Sequence, residues 1–143
     1  MPAFLSYLPA QAQNTKPDSI YQYNGIDENP IFTYQYKNSK DRPDLAFGYY
    51  FMNNLRYPKE AKQLGIEGKV MVEFIIEKDG SVSNVTLIKS IHSTNNYPND
   101  ISKKCNEEAL WLIREMPKWK AGRQNGKPIR TKVNYFVDFR LED

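Results

Sequence analysis

The 143-residue chain contains one cysteine, Cys105, and one histidine, His92. A single thiol excludes an internal disulfide and a multi-cysteine metal site, and a single imidazole excludes a multi-histidine one. No apolar run approaches the ~20 residues that a helix needs to cross a bilayer. There is no Gly-x-Ser-x-Gly, no glycine-rich phosphate loop and no metal-ligand spacing. His92 falls in a polar stretch, Ile91 to Asn99, without a nucleophile or an orienting carboxylate near it in sequence, so it reads as a solvated loop residue rather than a general base. Glu67, Glu73 and Glu77 lie along one strand and the turn into it, the pattern of a wet face. These absences argue against an enzyme: no catalytic residue, no metal and no cofactor is assigned. The net charge of +3 is too small to require a nucleic-acid partner.

What is present begins with the run from Tyr57 to Gly80. Pro58 has its φ preset for the first position of a short helix and lacks an N–H that would be orphaned there. Gly65 suits a left-handed helix end. Beyond Gly68, the residues Val70, Val72, Phe74 and Ile76 share one face of a strand, with Met71, Glu73, Ile75 and Glu77 on the other. Asp79-Gly80 reads as a two-residue hairpin turn. The partner strand, Ser81 to Ser90, alternates irregularly through Val82, Val85, Leu87 and Ile88, which indicates a bulge.

A helix over Asp100–Met116 follows. It carries Ile101, Cys105, Ala109, Leu112 and Met116 on one face and is stopped by Pro117. Cys105 on that face reads as a small buried hydrophobe. Trp111 and Trp119 read as packing residues. In the final strand Val133, Tyr135, Val137, Phe139 and Leu141 alternate with Asn134, Phe136, Asp138 and Arg140. One dry and one wet face mark an antiparallel, one-sided sheet. Upstream, an amphipathic helix over Asp44–Leu55 would present Leu45, Gly48, Met52 and Leu55, extended by Phe51, with Asp41 or Asp44 as its cap. The fold class is therefore α+β, a three-stranded antiparallel sheet packed against two helices.

The ordered set of Tyr57-Pro58-Lys59-Glu60-Ala61, Gly65 to Val70, Asp79-Gly80, Trp119-Lys120-Ala121-Gly122 and Gly126-Lys127-Pro128-Ile129 resembles the C-terminal domain of TonB, the periplasmic energy transducer of Gram-negative bacteria. Ala121 stands where that family usually has proline. The resemblance covers roughly the last two-thirds of the chain. It implies recognition of a short peptide, the TonB box, which an outer-membrane transporter exposes and which adds as a strand to the open sheet edge. That in turn implies support for energised uptake of siderophores, vitamins or glycans. The peptide-pairing edge implied is the final strand, Lys132 to Leu141, through Lys132, Asn134, Phe136, Asp138 and Arg140. The family's other contact region with the transporter falls on Asn54, Leu55 and Arg56, without its usual glutamine-rich form.

Three segments result: a truncated signal peptide over residues 1–13, a tyrosine-rich extended arm over 14–41, and the domain over 42–143. The signal reading rests on apolar Phe4 to Leu8 ahead of Ala10-Gln11-Ala12, a small-x-small processing pattern. Within the arm, the alternation of Ile31, Thr33 and Gln35 against Phe32, Tyr34 and Tyr36 suggests an extra edge strand. The expected location is the periplasm. The nine prolines are scattered rather than gathered into a spacer, so coupling to an inner-membrane proton-motive complex would need an anchor supplied by a longer chain or another protein. A second copy pairing on the exposed edge is the homodimer alternative. The rival functional reading uses the basic run Arg114, Lys118, Lys120, Arg123, Lys127, Arg130 and Lys132, set against the single acid Glu115. Such a run suits peptidoglycan or another anionic partner. A periplasmic adaptor or sensor that reuses the fold is a further alternative.

Overall fold

The computed structural model describes residues 18–34, 46–92 and 97–141. In chain order the elements are β1 (Ile20–Gln22), β2 (Ile31–Phe32), α1 (Ala46–Asn54), α2 (Lys59–Gln63), β3 (Gly68–Ile76), β4 (Val82–His92), α3 (Asn99–Arg114), β5 (Trp119–Lys120), β6 (Gly122–Gln124) and β7 (Lys127–Phe139). The signal-like residues 1–13 and the candidate caps Asp41 and Asp44 lie outside the described residues.

The fold is α+β, with a sheet that is wider than periodicity alone suggests. β4, β3 and β7 are its antiparallel centre, β1 pairs parallel to β7, and β6 forms a hairpin with β7. The two added strands have three residues each, too few to leave a period-two signature. β7 also starts five residues before Lys132. Pro128, with no N–H for a ladder, obscures that start in the sequence. Three helices accompany the sheet rather than two, because the short turn after Pro58 forms α2.

The core follows the alternation. Val70, Val72, Phe74 and Ile76 of β3 are fully buried, together with Val137 and Phe139 of β7. Against them α3 lays Ile101, Cys105, Ala109, Leu112 and Ile113. Burial pushes the Cys105 thiol up to about 11, so at neutral pH it is an uncharged packing group and a poor nucleophile. Asn106, buried on the same helix, accepts the Ile91 N–H at 2.8 Å and donates to Ser90 Oγ at 2.7 Å. Its amide satisfies strand groups where β4 leaves regular pairing. The β4 bulge is present as register shifts against β3, with Asn84 at φ 49°.

Gly65 ends α2 at φ 67°, as read. The β3–β4 turn differs in detail. Gly80 N–H donates to Glu77 O at 2.9 Å and Glu77 N–H to Ser81 O at 2.8 Å, and at this turn Gly80 alone has positive φ. The loop is thus Lys78-Asp79-Gly80, a three-residue hairpin with glycine in the left-handed position, not a two-residue one. Asp79 accepts from Ser81 instead of adopting positive φ.

At the far end of β3, Glu77 takes a bidentate pair from Arg130 of β7, at 2.7 and 3.2 Å, and a hydrogen bond from the Ser83 hydroxyl. The Arg130 bond holds the Glu77 carboxyl below the usual carboxylate range. A depressed folded-state pKa adds stability that is present above the unfolded pKa and is lost as pH falls through the folded one. Glu77→Gln is therefore expected to flatten the acid limb of a stability-versus-pH curve below about pH 4.5, read by urea unfolding at pH 7 and pH 3.

Candidate functional site

The pairing of β7 with β3 runs without a shift from Gly68 opposite Phe139 to Ile76 opposite Thr131. The Tyr23 N–H donates to the Lys132 carbonyl at 3.1 Å. That carbonyl therefore points away from β3. Backbone groups alternate sides along a strand with the same period as side chains. Asn134, Phe136 and Asp138 consequently aim both N–H and C=O outward. Among the described residues no strand pairs with this side of β7 beyond Lys132. The result is three consecutive outward positions on an open edge.

Beside that edge lies α1, and its burial keeps only part of the face expected from sequence: Phe51 and Leu55 pack on the core, Gly48 and Met52 do not, and Leu45 lies outside the described residues. Ala46 and Tyr50 are buried, Phe47 and Phe51 pack on the core, and Gly48 and Met52 are exposed. The aromatic side win follows from area: rings bury far more apolar surface than glycine or a lone methionine. The Tyr50 hydroxyl donates to Leu112 O at 2.6 Å, and burial lifts its pKa to about 12. Phe47 and Phe51 hold Tyr135 of β7, with ring centroids at 4.1 and 5.1 Å. These contacts fix α1 alongside β7.

Two clefts open on either side of Tyr135. One, of about 510 Å³, includes Tyr23, Phe32, Trp119, Val133 and Asn134 in its walls. The other, of about 630 Å³, runs between α1 and the open edge, with Gly48, Phe51, Met52, Leu55, Phe136 and Asp138 among its walls. Its lining mixes apolar and charged side chains. The charged part is Lys62, Asp138 and Arg140, the last two paired at 3.1 Å.

The residues named from sequence distribute unevenly over this geometry. Leu55 lines the second cleft together with Phe136, Asp138 and Arg140, so the two regions read separately in the sequence border one cleft. Asn134 borders the first cleft. Lys132 reaches Glu73 at 3.8 Å, and its carbonyl is already taken by Tyr23, so the edge opens one outward position later than the sequence implies. Asn54 turns inward and donates to Tyr50 O at 2.8 Å, closing the end of α1. Arg56 faces α3: its guanidinium lies 3.7 Å from the Trp111 ring centroid and its Nε 3.6 Å from Glu108. Gly48, Met52 and Tyr135 were not singled out as site residues. The signal available for the first two was a glycine and a methionine four residues apart on the side of a helix that its aromatics leave bare.

Four members of the basic run are ion-paired. Lys118 pairs with Asp79 at 3.9 Å, Arg123 with Glu28 at 3.6 Å, Arg130 with Glu77 and Lys132 with Glu73. Arg114, Lys120 and Lys127 have no ion pair among the described residues. No cluster of three or more His, Cys, Asp or Glu that could hold a metal occurs among those residues either.

The sequence model of the Gram-negative bacterial TonB protein C-terminal family matches residues 53–141. The chain belongs to this TonB C-terminal family. The match takes in all of β3 to β7 and the cleft wall from Leu55 onward. TonB proteins from two Helicobacter pylori strains are 54% identical over 35 residues, which is 24% of this chain and 12% of theirs. The matched stretch thus spans about an eighth of those relatives. Solved TonB C-terminal domains give a TM-score of 0.44 for Helicobacter pylori, at 25% identity over 67% of this chain and 78% of that one. For Pseudomonas aeruginosa the score is also 0.44, at 19% identity over 85% and 94%. No helix among the described residues is long and apolar enough to cross a membrane.

Proposed function

We propose that this TonB C-terminal domain is a periplasmic binding module that takes the TonB box of an outer-membrane TonB-dependent transporter as an added strand on the open edge of β7, in support of energised uptake. The observation that carries the reading is the row of outward backbone groups at Asn134, Phe136 and Asp138, bordered by a cleft that Phe51, Met52 and Leu55 help to line. An exposed edge is a template for an extended chain, and main-chain pairing is its ordinary mode of recognition.

Magnitudes refine the picture. Three outward residues offer six hydrogen bonds, each contributing roughly 0.5–1.5 kcal/mol net. Their sum, about 6 kcal/mol, falls short of the ~8 kcal/mol that a micromolar complex requires. Ordering the peptide lowers it further. Burial of at least one apolar peptide side chain, at roughly 1.5–3 kcal/mol, closes most of the gap. The clefts beside Tyr135 are where such a side chain fits.

The test uses proline, which cannot donate to a ladder. Phe136 has an outward N–H that β3 does not use, so Phe136→Pro is expected to leave the fold intact and to weaken a transporter-derived heptapeptide by at least about tenfold. Val137→Pro removes an N–H given to β3 and is expected to unfold the sheet. Calorimetric titration with circular dichroism reads both. Unchanged peptide affinity in folded Phe136→Pro contradicts strand addition at this edge.

A further inference from the structure

Gly48 is the anomaly of α1. It sits in the interior of a helix, where glycine is a poor choice for stability. It has no positive φ to justify it, and a Cβ built there meets nothing within 4 Å. The residue is therefore not small because a neighbour crowds it. What lies beside it is the second cleft, of about 630 Å³, whose opposite rim is the open stretch of β7 at Phe136 and Asp138. Met52, one turn further along the same side of α1, is 65% exposed. Phe51 and Leu55 contribute to its apolar lining.

We propose that Gly48 is a specificity-determining residue: its missing side chain keeps open a pocket that receives one large apolar side chain of the partner peptide, gripped between α1 and β7. The occupant must be an extended chain, because the outward donors and acceptors on the rim recur at strand spacing. In a strand added to β7, alternate side chains turn toward the face that carries Tyr135 and α1. The one that falls beside Tyr135 on the Leu141 side enters the space over Gly48. Phe51, Met52 and Leu55 form an apolar part of the lining to which a leucine, isoleucine, valine or phenylalanine is the matching chemistry, while Lys62, Asp138 and Arg140 are the charged part of the same cleft. This assignment rests on strand addition at β7, and the experiment separates the two.

The experiment uses a heptapeptide from the N-terminal segment of a TonB-dependent transporter of the same organism, and a set in which each apolar residue in turn is alanine. Gly48→Ala and Gly48→Leu are compared with the parent domain by calorimetric titration, thermal unfolding and amide NMR. Gly48→Ala is expected to raise the melting temperature, and Gly48→Leu to hold it at or above the parent value. Gly48→Leu is expected to weaken the parent peptide by at least about tenfold, the loss of one buried apolar side chain. One alanine peptide should bind weakly to the parent domain and equally weakly to Gly48→Leu. That non-additivity identifies the side chain that occupies the pocket. If Gly48→Leu binds every peptide as tightly as the parent while the Asn134, Phe136 and Asp138 amides still shift, the edge pairs but the pocket receives nothing, and this inference is overturned alone. If no peptide shifts those amides, strand addition fails and the pocket assignment with it.

Discussion

Gly80→Ala is expected to destabilise the domain by roughly 3 kcal/mol or more. Two causes add. Gly80 sits at φ 85°, in the region that L side chains rarely adopt. A Cβ there would also lie 1.9 Å from the Trp119 carbonyl oxygen, which is backbone and has no rotamer to escape into. The Trp119 N–H donates to the Gly80 carbonyl at 2.8 Å, so the turn and β5 are locked face to face. Displacing Trp119 then disturbs the ring cluster it shares with Phe32, Phe47 and Phe74, at centroid distances of 4.8, 5.3 and 6.1 Å. Gly126 provides the control. It has a similar φ, 76°, with nothing within 4 Å of an added Cβ, so Gly126→Ala should cost only the conformational strain, about 1 kcal/mol. Urea unfolding of both variants checks this. Equal losses would show that the Trp119 contact does not matter.

Phe74→Ala is expected to cost roughly 3–5 kcal/mol, because the side chain is fully buried and the cavity it leaves is walled by strand and helix. It stands opposite Val133 in the β3–β7 register, and it touches the same aromatic cluster through Trp119. Leu112→Ala on α3 should fall in the range of about 2–5 kcal/mol for the same reason. A domain of this size has a total stability of about 5–15 kcal/mol, so either change consumes a large fraction. Thermal unfolding of Phe74→Ala at the parent temperature would contradict the strand register on which the edge assignment depends.

The elements that could be read in the sequence are those whose period repeats long enough to register. The nine-residue β3 and the sixteen-residue α3 show their buried faces as unbroken patterns, and every apolar residue assigned to them is buried. β1, β5 and β6 have two or three residues each, and what places them is tertiary. Asp27 accepts the Asn125 N–H at 2.8 Å, and Glu28 exchanges two backbone bonds with Arg123. No local window contains both partners. The face of α1 is only partly legible because Gly48, Met52 and Leu55 keep helical spacing, of which Leu55 alone packs on the core, while its aromatic residues fall on two adjacent stripes. The competition between stripes is decided by what packs above, here Tyr135 and the Leu112 carbonyl. The candidate site was legible in its second half only. Alternation separates the outward residues of β7 from the inward ones, and the strands on either side then follow from the sheet order. Where the open stretch begins depends on one backbone hydrogen bond from Tyr23, an arm residue more than a hundred positions away, and no spacing rule reaches that far.

The most direct test of the central claim is an NMR titration of the domain with N-terminal peptides of transporters from the same organism, following backbone amides. Strand addition predicts the largest shifts at Asn134, Phe136 and Asp138, with slowed amide exchange at those positions, smaller shifts at Gly48, Met52 and Leu55 across the cleft, and silence at Arg114, Lys120 and Lys127. Shifts confined to the basic run from Arg114 to Lys132, with the outward residues of β7 unmoved and their exchange unchanged, would contradict it.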